Sequence, residues 1–183
     1  INYRKNYLKL FNDKKILEYE EIINDLISVA MFNEYYEKKI SNKLPIMMGF
    51  QAYNSAPLVF EKKIDNPETI ATAIRIGNPV NRDKAMNVKK MSNGKFNVVT
   101  DEEILEAYKI LGKEEGIFCE PASAASVAGL LKIKKEIPEN INIVCVLTGN
   151  GLKDPNCAIE NNDAVFHSNL DPNISTVAKA MNL

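Results

Sequence analysis

The sequence predicts an α/β fold in which a layer of parallel strands is flanked by helices. Three observations carry that expectation. From Leu44 onward, short apolar runs alternate with segments of helical periodicity. The run Ile141-Asn142-Ile143-Val144-Cys145-Val146-Leu147 is too continuously apolar for a half-exposed strand and suits the middle of a parallel sheet. The run Phe96-Asn97-Val98-Val99 passes directly into a helix start, the βαβ cadence of right-handed crossovers.

The elements follow in order. Between Lys14 and Ile40 there is no Gly or Pro, and Ile16, Tyr19, Ile23, Leu26, Ile27 and Ala30 recur at helical steps. One long amphipathic helix or two shorter ones fit, stopped by Ser41-Asn42 and Pro45. The expected organisation is therefore a helical segment over 1–40 and an α/β domain over 41–183. Ile46-Met47-Met48-Gly49-Phe50 reads as a buried strand. Asn66-Pro67-Glu68 reads as a helix start, because Asn66 can cap and Pro67 lacks the N–H that the first helical position leaves unpaired. Thr100-Asp101-Glu102-Glu103 is a capping box, in which Thr100 and Glu103 satisfy each other's exposed backbone donors. The helix behind it presents Ile104, Leu105, Tyr108 and Leu111 on one face, and Gly112 and Gly116 loosen and end it. Glu120-Pro121-Ala122-Ser123 opens a small-residue helix through Leu131, and Pro138 breaks the chain before the 141–147 run. The tail after Asn156 reads as loops around one short strand and a last helix.

Composition excludes several classes of function. The 183 residues carry a formal net charge of −1, with lysines interleaved among acids, so nothing points to nucleic acid or an anionic membrane. No apolar run is long enough to span a bilayer, and the chain's start lacks the apolar core of a signal peptide. Cys119, Cys145 and Cys157 are odd in number and have no metal-ligand spacing, which favours a reduced, cytoplasmic setting and no metal site. His167 lies in the polar tail and reads as a surface residue.

In an open parallel sheet, ligands sit at the carboxyl ends of the strands. Two stretches satisfy that rule. In Leu147-Thr148-Gly149-Asn150-Gly151-Leu152-Lys153-Asp154-Pro155, two glycines permit a tight turn and Thr148 offers a hydroxyl that donates or accepts. A plain strand-to-helix turn explains the stretch equally well. In Phe118-Cys119-Glu120-Pro121-Ala122-Ser123, the carboxylate of Glu120 either holds a ligand or complements the helix dipole, the second being the commoner role.

Five stretches, in order and in register, resemble the threonine synthase family. They are Met47 to Ala52, Asn66-Pro67-Glu68-Thr69-Ile70-Ala71-Thr72-Ala73-Ile74-Arg75-Ile76-Gly77-Asn78-Pro79, Val99 to Ile104, Glu120-Pro121-Ala122-Ser123-Ala124-Ala125-Ser126-Val127-Ala128-Gly129-Leu130, and Val146 to Pro155. The resemblance covers Met31 to Pro155, roughly two-thirds of the chain. It implies an incomplete, tryptophan-synthase-beta-like (fold type II) fold and pyridoxal 5'-phosphate as cofactor. It also implies conversion of O-phosphohomoserine to threonine by γ-elimination of phosphate and β-addition of water. On that resemblance Thr148 would hydrogen-bond the pyridine nitrogen and leave it largely unprotonated. Glu120 would lie beside the cofactor, and Ile74, within Ala73-Ile74-Arg75-Ile76, would line the substrate cavity.

The family's Ser-Phe-Lys-Asp-Arg-like motif, which carries the Schiff-base lysine, does not occur in these residues, so the resemblance assigns no catalytic residue here. Lys153 is not the family's cofactor-binding lysine. The family's glycine-rich phosphate loop corresponds to Glu20-Glu21-Ile22-Ile23-Asn24, which has no glycine and is rich in carboxylates. Tyr3-Arg4-Lys5-Asn6-Tyr7-Leu8 resembles the family's opening, which points to an internal deletion. The expectation is a chain inactive alone. The alternatives are a non-catalytic remnant or interaction module, or another fold-type-II enzyme such as a threonine dehydratase. An incomplete domain exposes apolar surface, which either the 14–40 helix covers or self-association buries.

Overall fold

A computed structural model describes residues 34–161 and 170–181. The expected helix over Lys14–Ile40 falls outside those residues as far as 33; residues 34–37 are helical. The phosphate-loop position Glu20–Asn24, the opening Tyr3–Leu8 and His167 also lie outside them.

Two parallel strands, β1 (Met48–Ala52) and β2 (Lys95–Val99), pair in the register Met48↔Lys95 through Ala52↔Val99. The connection between them carries two single-turn 3₁₀ helices, Tyr53–Ser55 and Thr72–Ile74, and helix α1 (Arg82–Met91). Beyond β2 come α2 (Asp101–Glu114) and α3 (Pro121–Ile133), then a 3₁₀ turn at Gly151–Lys153, α4 (Pro155–Glu160) and α5 (Ile174–Ala180). The expected parallel-sheet layer flanked by helices is present, with two strands among the described residues. β1 starts two residues later than the sequence pattern suggested and is mostly half-buried.

The capping box forms as read. Glu103 N–H donates to Thr100 Oγ1 at 3.2 Å, and Thr100 N–H to the Glu103 carboxylate at 2.8 Å. Such a cap contributes about 1 kcal/mol. Ile104, Ala107 and Leu111 then share the buried face of α2, with Leu105 and Tyr108 at its margin. The alanines of α3 let it approach both α2 and the sheet. Ala124, Ala125 and Ala128 join Ala52, Val99, Ile104 and Leu111 in one buried cluster. Gly129 marks the tightest approach, since a Cβ there would lie 2.2 Å from the Phe50 ring.

Two expectations fail, for physical reasons. No helix starts at Asn66-Pro67-Glu68, because the amides that would enter it have other partners. Glu68 N–H donates to the Asn54 carbonyl, Ile70 N–H to Asp101 Oδ2 at 3.0 Å, and Ala71 N–H to Thr69 Oγ1 at 3.1 Å. Asp101 also accepts from the Thr69 hydroxyl, and its place in the first turn of α2 suits a carboxylate. The run Ile141–Leu147 is not the centre of a sheet. It carries no strand pairing among the described residues, and Val144 is 73% exposed. A strand pattern forms a ladder only where a neighbouring strand lies alongside it, and this run lies along α3 instead, where the Ser126 hydroxyl donates to the Val146 carbonyl at 3.4 Å.

Gly129→Ala should therefore destabilise the fold by about 1–3 kcal/mol, because Phe50 has to move. Gly112→Ala, where nothing lies within 4 Å, should instead stabilise α2 by up to about 1 kcal/mol. Urea unfolding of the two variants checks both signs.

Candidate functional site

The two candidate stretches are far apart in sequence and meet in space. Cys119 and Asn150 form an antiparallel bridge. Glu120 N–H donates to the Gly149 carbonyl at 3.0 Å, and Gly151 N–H to the Phe118 carbonyl at 3.1 Å. The chain leaving Leu147 is thereby fastened to the segment that opens α3. Asn150 shapes the turn that follows, its side chain accepting from Leu152 N–H at 2.9 Å.

Glu120 is the N-cap residue of α3, ahead of Pro121, and is only 5% exposed. Its carboxylate fills the space where Gly149 has no side chain: a Cβ at Gly149 would lie 1.8 Å from Glu120 Oε1. Glycine is required at 149 by this close approach. Lys153 Nζ stands 3.8 Å from Glu120 Oε1, and its own side chain is largely exposed. The lysine end of the pair is solvated, which screens part of the attraction. The carboxylate is further favoured by the positive end of α3.

Thr148 lies at the exposed rim. Its Oγ1 is 3.4 Å from Ser123 Oγ, in the first turn of α3. Ser123 is 2% exposed and accepts the Gly149 N–H at 2.8 Å. The Ser126 hydroxyl donates to the Ser123 carbonyl at 3.0 Å, extending the polar seam along the helix. The site thus offers a neutral hydroxyl at its rim, a buried carboxylate and a cation beside it. Sequence reasoning singled out Thr148 and Glu120 and passed over Ser123. The available signal was a hydroxyl in the first turn of a helix rich in alanine.

Ile74 ends the 3₁₀ turn Thr72–Ile74, partly buried against the core cluster. Ser55 Oγ donates to its carbonyl at 2.8 Å and accepts Ile76 N–H at 2.9 Å, while Arg75 donates to the Thr69 carbonyl at 3.0 Å. The turn reaches the site through Thr72, whose hydroxyl donates to Asp154 Oδ2 at 3.1 Å. Ile74 is therefore held two residues from a contact with the 151–154 turn, a link that no local pattern signals.

Burial pushes the thiols of Cys119, Cys145 and Cys157 above their ordinary range, so all three are poor nucleophiles near neutral pH. Among the described residues no group of His, Cys, Asp and Glu could hold a metal ion, and no helix is long and apolar enough to cross a membrane.

Residues 30–149 match the family described as "Pyridoxal-phosphate dependent enzyme". The chain is 59% identical over 150 residues to a threonine synthase of Synechocystis sp., spanning 82% of this chain and 39% of that one. It is 54% identical over 134 residues to a threonine synthase of Halalkalibacterium halodurans, spanning 72% of this chain and 38% of that one. The chain thus covers well under half the length of the curated relatives it matches. A solved structure of a threonine deaminase from T.th. superposes with a TM-score of 0.47 at 17% identity, covering 58% of this chain and 39% of that one.

Gly149→Ala tests whether the site is built as a unit. The added methyl displaces the Glu120 carboxylate and strains the 119–150 bridge, at an expected cost of about 1–3 kcal/mol. A thermal unfolding midpoint equal to that of the unsubstituted protein would contradict the packing described.

Proposed function

The chain belongs to the pyridoxal-phosphate dependent enzymes, and we propose that it forms the ring-side part of the cofactor site of a threonine synthase. The whole enzyme is then a lyase that acts on a phosphate ester, converting O-phosphohomoserine to threonine and phosphate in the cytoplasm. The observation that carries this reading is the bridge that fastens the segment carrying Thr148 to the segment carrying Glu120. Relatives carrying the name threonine synthase, at 59% and 54% identity, support it.

The donor set fits the ring end of the cofactor. Thr148 carries a neutral hydroxyl at an exposed rim, suited to a pyridine nitrogen that has no proton. Glu120 is held beside that rim, where its carboxylate keeps water and competing anions away from the ring edge. Ile74 presents an apolar wall to the substrate's carbon chain, and the Thr72–Asp154 hydrogen bond holds that wall against the 151–154 turn. Bound there, pyridoxal phosphate supplies an electron sink for charge that develops on the substrate.

None of the matched stretches supplies a lysine for covalent attachment, and Lys153 is engaged with Glu120. Residues 41–183 act on this reading as the α/β cofactor-facing domain. Titration of the 183-residue protein with pyridoxal phosphate, followed by borohydride reduction and peptide mass mapping, tests the assignment. Saturable binding without a reduced lysine adduct is expected. Thr148→Val should weaken binding roughly 2- to 13-fold, the loss of one hydrogen bond of about 0.5–1.5 kcal/mol. An adduct on Lys153, or an affinity untouched by Thr148→Val, would sink the assignment.

A further inference from the structure

We propose that residues 16–30 dock as an amphipathic helix on the outward face of the 141–147 run, with Ile23 over Val144. The occupant is a segment of this same chain, joined to the described fold through Glu34.

The outward face of the run is the open side of the strand layer. α3 packs on one side of that layer: Gly129 meets the Phe50 ring of β1, and Ser126 lies along the run at Val146. β2 has a second helix beside it, since Lys89 of α1 stands 5.7 Å from the centre of the Phe96 ring. The run has α3 alone among the described residues. Val144 and Val146 are 73% and 50% exposed, whereas Cys145 and Leu147, which alternate with them, are half-buried. Cys145 Sγ donates to the Ser126 carbonyl at 3.9 Å, and Leu147 packs against the core cluster. That alternation is the period of an extended chain with one face on a helix. Ile141 and Ile143 enlarge the exposed apolar surface. The run carries no charge, so covering it buries no ion.

The sequence ahead of the described fold supplies a stripe that fits. Ile16, Tyr19, Ile23, Leu26, Ile27 and Ala30 fall on one side of a helix, and Glu18, Glu21 and Asp25 on the other. From Ile16 to Ala30 such a helix is about 21 Å long. An extended run from Ile141 to Leu147 is about 20 Å long. The midpoints of the two are Ile23 and Val144, so either direction of the helix brings that pair together. Residues 36–40 are exposed, so the chain that carries the stripe enters the described fold from its surface. The family match begins at residue 30 and leaves the stripe up to Ile27 outside it. A tethered helix meets the face at an effective concentration of roughly millimolar order, an advantage that a second copy in dilute solution lacks. Two apolar faces of one chain, matched in length, gain by covering each other.

The test uses the 183-residue protein carrying Ile23→Cys together with Val144→Cys, oxidised in dilute solution with copper phenanthroline and read by peptide mass mapping. A disulfide between positions 23 and 144 of one chain is expected. It should form roughly tenfold faster than the link in a protein carrying Glu21→Cys with Val144→Cys, because position 21 points away from the face and a disulfide needs close, aligned Cβ atoms. In the chain with its native Val144, Ile23→Asp should raise the binding of an exposed-hydrophobe dye several-fold, and Glu21→Lys should leave it unchanged. Equal linking rates at positions 21 and 23, no link at either, or dye binding untouched by Ile23→Asp would overturn the proposal. A link that joins position 144 of two chains also overturns it and gives the face to a second copy. No cofactor enters the test, so its outcome is separate from the assignment of Thr148 and Glu120.

Discussion

Two main-chain hydrogen bonds govern the site, from Glu120 N–H to the Gly149 carbonyl and from Gly151 N–H to the Phe118 carbonyl. They join the end of an extended segment to the start of a helix, and every polar group discussed above takes its position from that join. Glu120 folds over Gly149 because the two backbones are hydrogen-bonded there, and Ser123 meets Gly149 N–H because it lies one turn further along α3. Thr148, one residue before the join, is carried to the Ser123 hydroxyl. A backbone bridge aims side chains with little side-chain entropy of its own to lose, which is why so small an element can organise a site.

The parts of the fold legible in the sequence are those fixed by neighbours in the chain. The Thr100–Glu103 box, the Pro121 start of α3 and the buried face of α2 depend on residues three or four apart, and all three form as read. β2 matches its apolar run to within one residue. The misreadings share the opposite property. At Asn66-Pro67-Glu68 the local pattern is a sound helix start, but Asp101, more than thirty residues onward, takes the Ile70 N–H and the Thr69 hydroxyl. Residues 141–147 have strand character, yet a ladder needs a second strand and none among the described residues pairs with them. For the site, Thr148 and Glu120 were legible as chemistry at segment ends. The joining of their two segments, the Ser123–Thr148 contact and the Thr72–Asp154 link are long-range facts that spacing does not encode.

The exposed 141–147 run also says where the site is supported. Val146 and Cys145 lie along α3, with the Ser126 hydroxyl donating to the Val146 carbonyl at 3.4 Å. The segment that delivers Thr148 is therefore held from the helix side, through serines 123 and 126, rather than by a sheet ladder. This gives the two serines of an alanine-rich helix a purpose that helix propensity does not supply, since serine is a poorer helix former than alanine.

Native-state hydrogen exchange on the amides of Glu120, Gly149 and Gly151 tests the central claim most directly, because each is a donor in the join or to Ser123. The structure predicts that all three are protected together and open with one common free energy. Exchange of Gly149 and Gly151 at the rate of an unstructured loop, with Glu120 alone protected as part of the helix start, would contradict it.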